Sequence, residues 1–226
     1  MSACARCGQW EQALAILAEL RRRGVQANAI TINAAISACD WGETWEKALD
    51  LLRLACSSGL ADTVSYNAAI SACERRGKIE EALGLLASMQ RRRCEANVIT
   101  YSAAISACEQ VANWQRALGL LRIMQLGTIE ANVFSYSAAI SACAKCGRWK
   151  TALGLLEGMC QSSLEPNSVS CNAVVGACAR AGRWRLALGL LSGMWCAQLV
   201  FDVIGCDSVV SVCKRNGRPR LALGLL

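Results

Sequence analysis

Histidine is absent from these 226 residues. No Ser/His or Cys/His nucleophile can be assembled, no histidine can act as general base, and none can complete a metal site. A phosphate-cradling G-x-x-x-x-G-K loop is missing too. So is a long apolar run. The longest stretch without a charged residue, Leu186 to Phe201, falls short of the roughly 20 residues that a spanning helix needs. Nothing resembling a signal or transit peptide opens the chain, which says little, because Met1 already lies inside a repeat. These absences argue against an enzyme and against a membrane protein. The 17 carboxylates fall mostly on faces such as that of Glu46, Glu80 and Glu81, where pairing with Lys or Arg on a solvated helix accounts for them.

What the chain has in abundance is repetition. The string AAISAC stands at Ala34 to Cys39, Ala68 to Cys73, Ala103 to Cys108 and Ala138 to Cys143, with looser copies ending at Cys178 and Cys213. A period of 34 or 35 residues marks an array of helical hairpins, each too small to bury its apolar face alone. In Thr63 to Asn97, the run Tyr66 to Cys73 is small and apolar at helical spacing, charge closes it at Glu74 to Arg76, and Gly77 supplies the stop. Gly8, Gly147, Gly182 and Gly217 occupy the same place. A second helix follows, with Ala82, Leu83, Leu86 and Met89 on one face. The expected fold is therefore all-α, a solenoid of stacked two-helix repeats. Its units are 1–28 (partial), 29–62, 63–97, 98–132, 133–167, 168–202 and 203–226 (partial). The end units are cut and carry no polar capping element, so a piece of a longer array is expected. The mean hydropathy of +0.30 fits this frame, because the apolar residues are Ala, Leu and Cys at repeat-phased core places.

Fifteen cysteines do not imply a disulfide framework here. Cys4, Cys39, Cys73, Cys108, Cys143, Cys178 and Cys213 recur in phase, and copies on successive stacked helices stand at least about 8–10 Å apart, beyond disulfide reach. They read as small buried hydrophobes of a reducing, intracellular compartment. The pairs Cys4/Cys7 and Cys143/Cys146 lie four repeats apart and cannot share one zinc ion, so no metal site is expected.

Two polar places vary in a restricted way. The fifth residues of the units are Asn33, Asn67, Ser102, Ser137, Asn172 and Asp207, and the last are Asn28, Asp62, Asn97, Asn132, Asn167 and Asp202. These are side chains able to read base edges. Near the end of the first helix Arg6, Arg75, Lys145, Arg180 and Arg215 share one place, with Trp41 and Gln110 as the exceptions. Stacking would line them into a stripe suited to a phosphate backbone, although cations also favour helix C-termini through the macrodipole. Trp10, Trp45, Trp114, Trp149 and Trp184, and Tyr66, Tyr101 and Tyr136, are assigned to helix packing. For Gly84, Gly119, Gly154, Gly189 and Gly224, inside second helices, close approach of neighbouring hairpins is the expectation.

With its length, its phase and both polar places, the chain resembles the pentatricopeptide repeat family, as a P-type array similar to those of photosynthetic protists. The resemblance implies a right-handed superhelix whose first helices line a groove for single-stranded RNA, one base per repeat. It implies base reading by Asn33 with Asp62 (U), Asn67 with Asn97 (a pyrimidine, C preferred), Ser102 with Asn132 and Ser137 with Asn167 (both A), and Asn172 with Asp202 (U). The implied core is UYAAU. It also implies that the apolar second residues Ile30, Val64, Ile99, Phe134, Val169 and Ile204 sandwich bases, where packing under the first helical turn is the other reading. Arg75, Lys145, Arg180 and Arg215 would contact phosphate. A chloroplast or mitochondrial role in RNA processing, stability, editing or translation follows from the resemblance. It involves no cofactor, no membrane and no small-molecule substrate, and leaves protein partners open. The competing reading is a protein-binding solenoid of tetratricopeptide type, whose pattern wants a Pro closing the unit where this chain has Asn or Asp. The net charge of +7 favours an anionic partner. An array that feeds a catalytic module outside this segment is a third reading.

Overall fold

The computed structural model describes residues 9–42, 44–200 and 203–216. Among them are twelve α-helices and no strand. The first helices of the repeats are α2 (Ala29–Trp41), α4 (Thr63–Arg75), α6 (Val98–Gln110), α8 (Val133–Lys145), α10 (Ser168–Arg180) and α12 (Val203–Arg215). The second helices are α1 (Trp10–Arg22), α3 (Trp45–Ser57), α5 (Ile79–Arg91), α7 (Trp114–Leu126), α9 (Trp149–Gln161) and α11 (Trp184–Cys196).

Five first helices, α2, α4, α6, α8 and α10, start where they do because an Asn or Asp caps each one. Asn28, Asp62, Asn97, Asn132 and Asn167 are all in extended backbone, and each side-chain oxygen accepts the N–H of the third helical residue. That residue is Thr31, Ser65, Thr100, Ser135 or Ser170. In the last four its hydroxyl accepts the N–H of the capping residue, closing a reciprocal box. The turn after the first helix needs one left-handed residue. Gly77 (φ 62°), Gly147 (φ 68°) and Gly182 (φ 72°) supply it, but Ala112 holds φ 54° in the same place. The Cβ of an L-residue is strained there, so Ala112→Gly will stabilise the chain by about 0.5–1 kcal/mol in urea unfolding, and a loss of stability would refute this account.

The chain forms two compact units, Met1–Val111 and Ala112–Leu226. In the first, α2, α4 and α6 lie side by side, with α3 bridging α2 and α4 and α5 bridging α4 and α6. In the second, α8, α10 and α12 repeat that layer under α9 and α11. Small side chains let the first helices approach closely. Ala35, Ala38 and Cys39, their copies Ala69, Ala104, Ala107, Cys108, Ala139 and Ala142, and Cys73, Cys143 and Cys178 are 0% exposed. The second helices contribute Ala48, Ala82, Ala117, Ala152 and Ala187, with Met89, Met124 and Met159, equally enclosed. Among the described residues no disulfide joins the repeated cysteines. Burial pushes the Cys73 thiol up to about 12 and, with help from Cys146, that of Cys143 to about 11, so both stay protonated at neutral pH. Cys4 and Cys7 lie outside the described residues.

The tyrosines and tryptophans pack as helix-joining residues. Tyr66, Tyr101 and Tyr136 are buried, and their hydroxyls end in polar contacts with second helices, such as Gln125 Nε2 donating to the Tyr136 hydroxyl at 2.9 Å. Three of the half-buried Trp residues are covered by a cation from the turn of the following repeat: Lys78 over Trp45 (4.9 Å), Arg148 over Trp114 (4.7 Å) and Arg183 over Trp149 (5.2 Å). Where Ile79 replaces Trp, the following repeat has Asn113 instead of a cation, and Asn113 caps α7. The second-helix glycines correct an expectation. A Cβ at Gly84, Gly119, Gly154 or Gly189 would meet nothing within 4 Å, so close approach of hairpins is not why they are there. Gly224 lies outside the described residues.

Candidate nucleic-acid interface

The capping residues have a second set of partners. Asn33, the fifth residue of its repeat, donates from Nδ2 to both carboxylate oxygens of Asp62, the last residue, at 3.0 and 3.1 Å. Asn67 Nδ2 donates to Asn97 Oδ1 at 3.3 Å, and Ser137 Oγ to Asn167 Oδ1 at 3.2 Å. The fifth and last residues thus form a bonded pair in the repeats 29–62, 63–97 and 133–167. Ser102 Oγ is buried and has no partner among the described residues. Asn172 Nδ2 donates to the Val200 carbonyl at 3.4 Å, and Asp202 lies outside the described residues.

The atoms left over in each pair differ. The Asp62 carboxyl is held below its ordinary value of 3.8: burial opposes ionisation, but the backbone N–H and hydroxyl of Ser65, with Asn33, outweigh it. It is a carboxylate at neutral pH and presents lone pairs, beside the remaining N–H of Asn33. Asn97 has no such freedom, because its Oδ1 accepts the N–H groups of Ile99 and Thr100 at 3.1 Å each. Its Nδ2 therefore points away from the helix as a donor.

Beside each pair stands an exposed apolar side chain. Ile30, Val64, Ile99, Phe134 and Val169 are 56–73% exposed. They do not pack beneath the first helical turn. The side chain of Ile204 lies outside the described residues.

The cations at the far end of the first helices are less uniform than their spacing. Arg75 Nε sits 2.9 Å from Asp40 Oδ1, and its guanidinium lies 4.5 Å from the Trp41 ring centre, both on the preceding first helix. Arg180 Nη2 donates to the Ala144 carbonyl at 2.9 Å, and Lys145 and Arg215 are exposed. Arg6 lies outside the described residues. An acidic row, which reading the cations alone missed, explains the difference: Asp40, Glu74 and Glu109 precede that place in the first unit, whereas Ala144 and Ala179 do so in the second. Burial raises the Asp40 carboxyl, with Arg75 opposing. Burial also raises that of Glu74, against the Ser106 hydroxyl and Arg75 and helped by Asp40 and Glu109.

No helix among the described residues is long and apolar enough to cross a membrane. No curated protein matches the chain. The PPR repeat family matches residues 61–110 and 131–180, and the PPR repeat matches 1–25 and 169–198. Among solved structures, the pentatricopeptide repeat protein PPR10 from maize is 27% identical over 100% of this chain and 32% of its own, with a TM-score of 0.73. A PPR10 variant in complex with an 18-nt PSAJ RNA element is 19% identical over 99% of this chain and 38% of its own, at 0.65. The PPR domain of Arabidopsis thaliana protein-only RNase P 1 in complex with tRNA is 14% identical over 69% of this chain and 82% of its own, at 0.63. The chain thus spans 32–38% of the length of the PPR10 structures it matches. Two-helix repeats in phase, matched by these repeat families along most of their length, have one reading: the chain belongs to the PPR repeat family, as an all-α helical-repeat solenoid.

Proposed function

We propose that the chain binds single-stranded RNA along its first helices, one base per repeat, with the core UYAAU. What carries this reading is the bonded pairing of fifth and last residues beside an exposed apolar side chain. Three such groups in one repeat can stack against a base and meet its edge. Asn33 with Asp62 offers a donor and an acceptor, which suits U, and Asn67 with Asn97 offers donors, which suit C. Ser137 leaves room for a purine beside Asn167, and Ser102 with Asn132, the same pair of residue types, also reads A. Asn172 with Asp202 reads U by the same chemistry. Ile30, Val64, Ile99, Phe134, Val169 and Ile204 hold the bases, and Arg75, Lys145, Arg180 and Arg215 meet phosphate, with Asp40 partly neutralising Arg75. The two solved relatives that hold RNA support the same ligand class. As a non-catalytic RNA holder the chain would serve processing, stability, editing or translation in a chloroplast or mitochondrion.

Titrating the chain with single-stranded UCAAU RNA, a scrambled RNA and the matching DNA tests this. The expected result is at least about a tenfold preference for UCAAU over the scramble. Contact with three or four phosphates predicts that log affinity falls against log salt with a slope of roughly −2 to −3. Equal binding of all three ligands would end the base-reading proposal, and no binding to any would favour a protein partner.

A further inference from the structure

The third residue of a repeat does more than close its own cap. Ser65 places its hydroxyl 2.5 Å from Oδ1 of Asn33, in the preceding repeat, and 2.9 Å from Oδ1 of its own cap Asp62. Thr100 Oγ1 lies 2.6 Å from Asn67 Oδ1 and 3.0 Å from Oδ1 of its own cap Asn97, and in each case the single hydroxyl proton favours the shorter contact, to the fifth residue. Both hydroxyls reach the amide oxygen of a fifth residue from the next first helix. The orientation of each amide is then forced from two sides. The Asp62 carboxylate only accepts, so it must face the Asn33 amine, and the Asn33 oxygen turns to Ser65. Asn97 Oδ1 is committed to its helix, so it too must face an amine, and the Asn67 oxygen turns to Thr100.

Where the fifth residue is serine there is no amide to hold, and the hydroxyl behaves differently. Ser170 Oγ, which follows Ser137, donates to the Asn167 carbonyl of its own cap at 2.9 Å. Asn172 completes the comparison. It needs a hydroxyl, but the next repeat has Gly205 in the third place, and Asn172 Oδ1 is buried without a donor among the described residues.

We propose that the third-residue hydroxyls Ser65 and Thr100 are positioning residues for base choice: each locks the amide of the preceding repeat with its amine toward the base. Asn172, whose amide is held only through its amine, by the Val200 carbonyl at 3.4 Å, has no such hydroxyl on its oxygen and discriminates U from C less well. This rests on the base-reading proposal above.

Two readouts on the full chain separate the two ideas. In the free protein, side-chain amide NMR relaxation should find Asn33 and Asn67 rigid and Asn172 mobile; Ser65→Ala should mobilise Asn33 and Gly205→Ser should order Asn172. With RNA, Ser65→Ala should lower the U-over-C ratio at the first base of the core by about tenfold, Ser65→Thr should restore it, and Gly205→Ser should raise the ratio at the fifth base. Ser170→Ala, which removes a cap hydroxyl bonded to the Asn167 backbone and to no fifth-residue amide among the described residues, should lower stability and leave base preference unchanged. An unaltered ratio in Ser65→Ala, or equal mobility of the three amides, overturns the proposal. Amides that respond as described in a wild-type chain with no base preference would overturn the base-reading proposal and, with it, the consequence for base choice, while leaving the orienting contact intact.

Discussion

Replacing Gly84, Gly119, Gly154 and Gly189 together with alanine will raise the unfolding free energy by about 3–4 kcal/mol. Each glycine lies inside a second helix on an exposed face, and a Cβ added there meets no atom within 4 Å. The gain is then the difference in helix propensity, about 0.8–1.0 kcal/mol per site. The sites lie on separate helices, so their effects should add to within a few tenths of a kcal/mol. Gly84 lies in the first compact unit and the other three in the second, so Gly84→Ala alone should shift only the unfolding of residues up to Val111. Urea and thermal unfolding of the single and combined variants measure this. A combined gain under 1 kcal/mol would mean that something in the folded chain opposes a methyl group on those faces.

Those same glycines show where reading the sequence stopped short. Periodicity locates them but cannot say which way they face, and the guess of close approach assigned them to the wrong side of the second helix. The core was legible for the opposite reason: Ala, Ile and Cys recur in phase at places that are buried in the repeats from Ala29 to Asn167. Phase also obscures something: the last residue of a repeat, a candidate base reader, is at the same time the cap of the next first helix. Asn97-Val98-Ile99-Thr100 is also a capping signature, with Thr in the place usually held by Glu or Gln. Asp40, Glu74 and Glu109 are visible in the sequence one residue before the place held by Trp41, Arg75 and Gln110, yet only the folded chain sets Asp40 against Arg75 of the next repeat. Lys78, Arg148 and Arg183 lie more than thirty residues from the tryptophans they cover, so nothing local pairs them.

Exchanging the two caps will exchange the two bases. Asp62→Asn should turn preference at the first base of the core from U toward C, and Asn97→Asp should turn the second toward U, each changing the U/C affinity ratio by about 10- to 100-fold. The cap forces this outcome. An amide placed at residue 62 must give its oxygen to the N–H of Ser65, the bond that the carboxylate makes now at 2.8 Å, so only its amine can face the base. The pyrimidine N3 of U is protonated and wants the carboxylate, whereas N3 of C is a lone pair and wants the amine. Conversely, a carboxylate at residue 97 can accept both from Thr100 N–H and from the Asn67 amine, leaving lone pairs for a proton on N3. Stability should move little, since Asn and Asp cap a helix almost equally well. Unchanged stability with a reversed base preference would separate the reading role from the capping role on the same atoms. Reversal at neither position, with folding intact, would mean that the Asx side chains of this chain serve its helices alone.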